Sequence, residues 1–239
     1  MTGGRDLVSA LTGLIGFAAA EEQRLLAVAP AGETGDPGRW AAVPLVAHNT
    51  EFRAQQVHRL HAIQAGREPG EFAEIDHRSA EVYQGYASQD AGQAGPDSWR
   101  VAGELIGGLA AVPADDLLDP ERNPWLRGRQ LWLQVVVRGF WHPAGHLADY
   151  YLARGQTERA AGLAAQAVAL AGYLHVPAQA AGMTWYNLAC AQAGAGRLDE
   201  AAEAAAQAAR LNPDLRAKLG TEPDLAPVRA GGRLAAALA

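Results

Sequence analysis

The sequence predicts an all-α protein, and three observations carry that prediction. Apolar residues recur three and four apart in the long segments, the spacing of one face of a helix. No segment alternates apolar and polar residues as a half-buried strand would. Hydrophobic residues make up 49% of the 239-residue chain, and much of that share is alanine, which favours helix and close helix packing. The length suits one or two domains. A net charge of −6 argues against nucleic acid or an anionic membrane as the main partner. The single cysteine, Cys190, rules out an internal disulfide. Leu11 to Ala20 is too short to span a bilayer and reads as a core helix. With no targeting or lipidation signal, a cytoplasmic location is expected.

The elements follow in order. Leu7, Leu11, Leu14, Ile15, Ala18 and Leu25 define a first helix over 5–28, whose apolar surface is interrupted by Glu21, Glu22, Gln23 and Arg24 and which ends near Pro30. A Gly/Pro-rich loop spans 30–38. A second helix runs over 42–65, with Pro44 in its first turn, where a missing N–H costs nothing. His48 falls among the apolar positions of this helix, whereas Glu51, Arg53 and Arg59 define its polar face. Glu74 to Tyr86 predicts a short helix, and Gly92 to Pro96 a break. Trp99, Val101, Leu105, Ile106 and Leu109 give a third apolar face over 97–112. Three prolines mark 113–127 as a connection. A fourth helix starts near Leu126 and runs through Trp132, Val135 and Val136 toward His142, and Pro143 predicts a kink or break.

From Trp141 onward the chain repeats itself. Trp185, Leu188, Ala189, Gly196, Ala201, Ala205, Ala208 and Pro213 match the tetratricopeptide (TPR) pattern, which needs small residues where its two helices cross. Leu147, Ala148, Tyr151, Gly155, Ala160, Ala164 and Ala167 match one unit earlier. Gly155 and Gly196 are 41 residues apart, against a usual repeat of about 34. The excess is assigned to an enlarged loop over Gly172 to Ala178. Residues 214–239 form a capping segment.

His142 and His146 are four residues apart, so on a helix they share a face and could grip one metal ion. With His48 in Val46-Ala47-His48-Asn49, they complete a resemblance. Residues 5–155 resemble the DinB-like four-helix-bundle superfamily, which places one histidine on its second helix and an H-x-x-x-H pair on its last. The whole reads as a DinB-like bundle over 1–155 and a TPR-like array over 141–239, sharing helix 143–154. Pro143 departs from a smoothly helical H-x-x-x-H motif.

The resemblance implies a divalent metal held by His48, His142 and His146 from two helices, leaving coordination positions open. Zinc is the first expectation, with nickel, iron or manganese open, since imidazole ligands discriminate weakly. The superfamily includes thiol-dependent transferases and isomerases that use low-molecular-weight thiols such as mycothiol or bacillithiol. The function so implied is a metal-dependent enzyme acting on a small-molecule substrate with a thiol cosubstrate. Asp149 is placed to orient His146. The alternative is a non-catalytic TPR protein that binds a protein partner, with the bundle as scaffold. Homodimerisation is left open.

The remaining chemistry-bearing residues read as structural. His58, His61, His77 and His175 are assigned to surface or loops, and Glu74 and Asp76 to a solvated turn. Trp99, Trp132, Trp141 and Trp185 are assigned to the core. Cys190 sits where the repeat packs a small residue, so a thiol nucleophile must come from outside the chain. No dinucleotide fingerprint, P-loop or nucleophile elbow occurs in a suitable context.

Overall fold

The computed structural model describes residues 2–70 and 80–238. Among these residues the protein is all-α and contains no strand; the only extended pairing is an isolated bridge between Asp36 and Arg39. None of the described helices is long and apolar enough to cross a membrane. Close contacts divide the chain into two units, Met1–Pro143 and Ala144–Ala239.

In the first unit α1 (Thr2–Val28), α2 (Ala42–Gln64) and α4 (Ala91–Ala111) are the long helices. They surround α6 (Leu131–Val136) and a five-residue π-helical segment, Val137–Trp141, that continues it. The apolar stripe of α1 is the core, with Leu11, Leu14, Ile15, Ala18 and Leu25 all fully buried. Phe52 and Leu60 of α2, Leu105 and Leu109 of α4, and Val135 and Phe140 complete it.

The structure departs from the sequence pattern at several elements. The break falls after α3 (Ala80–Ala87), at residues 88–90, and Gly92 to Pro96 belong to α4. Asp90 caps that helix, its side chain accepting from the Gly92 N–H at 2.9 Å, which satisfies one of the orphan donors that would otherwise disfavour a start there. The opening of the helix expected from Glu74 lies outside the described residues, as do Asp76 and His77. Trp99 is 57% exposed, because α4 buries the side that carries Ser98, Val101, Ala102 and Leu105. The connection over 113–127 contains α5 (Ala114–Leu118) and two 3₁₀ turns, Pro120–Arg122 and Pro124–Leu126. Arg127 and Gly128 then take left-handed backbone, with φ of 52° and 82°, so the next helix starts at Leu131 rather than near Leu126.

The second unit contains most of α7 (His142–Leu152), then α8 (Thr157–Tyr173), α9 (Ala178–Gly194) and α10 (Leu198–Leu211). Gly155 and Gly196 turn the chain between consecutive helices with φ of 70° and 77°, a conformation glycine adopts without steric cost. Ala160, Ala164, Ala167, Ala201, Ala205 and Ala208 are buried along α8 and α10. The enlarged loop does not form. Only residues 174–177 join α8 to α9, and the extra length lies in those two helices, each 17 residues long. The C-terminal segment folds as α11 (Leu215–Thr221), a 3₁₀ turn, α12 (Ala226–Ala230) and α13 (Arg233–Leu238), with α13 packed on α10.

Candidate metal centre

His48 sits in the second turn of α2, on the buried side of that helix, and is 1% exposed. It is surrounded by rings. The Trp40, Phe52 and Tyr86 ring centres lie 5.0, 4.6 and 5.4 Å from its own. Tyr83 extends this wall, 5.2 Å from Trp40. Phe52, one turn along α2, stacks on His142 at 4.5 Å, and the Arg138 guanidinium covers the Phe52 ring at 4.4 Å. The Tyr86 hydroxyl is pushed up to about 12 by burial and by the nearby Glu51 carboxylate. It therefore stays protonated through the neutral range. Arg59, over the Trp125 ring at 5.5 Å, is lowered by burial and by Arg138.

The structure brings all three proposed ligands together. His48 Nε2 and His142 Nε2 are 3.1 Å apart. One ligand atom from each of His48, His142 and His146 lies within 4.8 Å of the other two, so the group could hold a metal ion. Two imidazole nitrogens on one tetrahedral zinc, each about 2.0–2.1 Å from it, would be roughly 3.4 Å apart. The His48–His142 separation is close to that value, and three neutral imidazoles are a suitable donor set for it. His142 and His146 are half-buried. Asp149 Oδ2 lies 3.7 Å from His146 Nδ1, an ion-pair distance rather than a hydrogen bond.

Of the kink or break expected at Pro143, no break forms, and the helix instead carries a π segment directly before it. Pro143 occupies the second position of α7, directly after the π segment, in which the His142 N–H reaches back five residues to Val137 O. A π turn of this kind inserts one residue into an α-helix, and such turns are frequent at functional sites. Pro143 has no N–H to offer Gly139 O four residues back. Arg53 supplies a donor instead, from Nε at 3.0 Å.

Arg53 is the residue that sequence reasoning missed. Its spacing on α2 assigns it to the polar face, yet its side chain is fully buried. Its Nη1 and Nη2 donate to Glu22 at 2.7 and 3.0 Å. Glu22 also accepts from Asn49 Nδ2 at 2.9 Å and from Ser98 Oγ at 2.5 Å. The available signal was Glu22 itself, a carboxylate inside the apolar stripe of α1 that needs a buried cation.

The remaining histidines fall where expected among the described residues. His58, His61 and His175 are exposed, and His175 takes left-handed backbone after α8. Trp132 is buried, while Trp141 and Trp185 are half-buried. Cys190 is a half-buried free thiol whose ionisation is pushed up, first by burial and then by Asp224, Glu222 and Asp149. The chain matches no family model, and no curated protein or solved structure is detectably similar to it.

Proposed function

We propose that this chain is a divalent-metal-dependent enzyme of the DinB-like type, a transferase or isomerase acting on a small molecule with a low-molecular-weight thiol. The single observation that supports it best is the convergence of His48, His142 and His146, with two Nε2 atoms 3.1 Å apart. Zinc is the preferred ion for an all-imidazole set with open positions. Such an ion, when bound, lowers the pKa of a coordinated thiol or water. The chain's own part is to hold the three rings and to shield them. The ring wall of Trp40, Phe52 and Tyr86 excludes water from the His48 side, which strengthens local electrostatics. Cys190 is no nucleophile in this reading, because it is held as the neutral thiol.

The second unit resembles TPR repeats in its small-residue crossings and glycine turns, and a partner-binding role for it is the companion proposal. The catalytic reading is tested by following thiol consumption in the presence of small electrophiles, with metal-loaded parent, His48→Ala and Cys190→Ser proteins. Turnover in the parent and in Cys190→Ser, but not in His48→Ala, is expected. Turnover that survives His48→Ala, or that needs Cys190, contradicts the reading.

A further inference from the structure

The buried cluster around Arg53 has a property that stabilisation alone does not require. Replacing a buried ion pair by well-packed apolar residues is often neutral or stabilising, so burial of Glu22 and Arg53 is weak evidence for a stabilising role. What an apolar pair could not do is donate to Gly139 O, as Arg53 Nε does at 3.0 Å. Gly139 is itself tightly enclosed. A Cβ there would meet Ile15 Cγ1 and Leu105 Cδ2, both at 3.1 Å, so the π turn is seated directly against α1 and α4. The residue after His142 is Pro143, which cannot bond the turn from the C-terminal side. On α2 the same stretch carries His48, Asn49, Phe52 and Arg53, so the elements that hold the turn also carry one ligand and the ring stacked on the other.

We propose that Arg53 is a positioning residue: it fixes the π turn through Gly139 O, and the turn sets His142 Nε2 against His48 Nε2. This rests on the metal reading above for its functional meaning. The extra residue of a π turn rotates everything after it by about 100° relative to a continuous α-helix. Without the Arg53 bond the turn loses a fixed contact on Gly139 O, and a shift of the turn carries His142 with it. Glu22 orients the guanidinium fork, and Asn49 and Ser98 hold Glu22.

The test uses the full chain with two variants. Glu22→Leu/Arg53→Met replaces the ion pair with apolar volume. Arg53→Lys keeps a cation for Glu22 but loses the planar fork that serves Glu22 and Gly139 O together. Each is compared with the parent by thermal melting, by imidazole ¹⁵N spectra of the metal-free protein, and by Co²⁺ titration followed through its visible absorption. Both variants should melt cooperatively, lose the ring signature of the Nε2–Nε2 pair, and bind Co²⁺ about tenfold or more weakly with an altered band shape. If the double variant does not fold, Arg53→Lys decides. A folded variant with the parent's ring spectra and Co²⁺ affinity overturns the proposal and leaves the cluster a purely structural role. If the parent binds no Co²⁺, the metal reading fails by itself. The ring spectra then judge Arg53: their loss supports positioning, and their persistence overturns it.

Discussion

Arg53 and Glu22 show how a single residue's role depends on a partner far away in sequence. Both side chains are fully buried, and removing one partner leaves an uncompensated charge in the core. Arg53→Ala should therefore cost about 3–5 kcal/mol, read as a shift of the urea midpoint; a loss below about 1 kcal/mol would show that Glu22 finds another partner. Cys190 gives a second test at this scale. Burial and three carboxylates favour its neutral form. Its folded ionisation range lies above the unfolded one, so any stability it contributes is present at neutral pH and declines as the pH rises past the unfolded thiol's range. Alkylation by iodoacetamide at neutral pH should be much slower in the native protein than in urea, because the thiolate is the reactive form. Equal rates would contradict the burial described. His48 stood out in the sequence as a histidine at an apolar position of a helix, but its pairing with His142 and His146 came from the DinB-like resemblance. Arg53 was not legible, because a charge read alone is assigned to solvent, and Glu22 lies 31 residues away.

At the scale of elements, small residues mark where helices meet. A Cβ at Gly182 on α9 would come within 2.6 Å of Asn212 Cβ and 3.1 Å of Ala208 O. At Gly162 on α8 a Cβ meets nothing within 4 Å. Gly182→Ala should destabilise by about 1–3 kcal/mol through overpacking. Gly162→Ala should stabilise by roughly 0.5–1 kcal/mol through helix propensity. Denaturant unfolding of the pair checks both signs, and a neutral Gly182→Ala would mean that α9 and α10 can move apart. Most elements were legible from their 3.6-residue period, and the errors fell where period is silent. Nothing periodic locates the Asp90 cap, the left-handed Arg127–Gly128 pair or the π turn. Trp99 was misplaced because its size suggested the core while its position on α4 faces away from it. The surplus between the two glycine turns looked like a loop because extra helical turns leave no punctuation.

At the scale of the whole molecule, α7 is the element that the division of the chain cuts, since the first unit ends at Pro143 and the second begins at Ala144. Within the second unit α7 packs on α9: Leu152 reaches to within 2.7 Å of where a Gly194 Cβ would stand, and Gly145 faces Asn187. A fragment of residues 1–155 keeps every proposed ligand but loses α9. Exposure of even a few such side chains costs on the order of several kcal/mol, comparable with the stability of an ordinary domain. The fragment should be insoluble or bind metal poorly; a soluble fragment with a cooperative melt and the full-length affinity would show that α7 is stable without α9.

The proposed function requires that His48, His142 and His146 act as one ligand set. The most direct measurement is the metal content of full-length protein purified without an affinity tag, by mass spectrometry, beside the His48→Ala/His142→Ala/His146→Ala protein. The three converging imidazoles predict about one divalent ion per chain in the parent, the stoichiometry of a single site, and none in the triple variant at unchanged helicity. Equal metal in both proteins, or none in the parent after reconstitution with zinc, would contradict it.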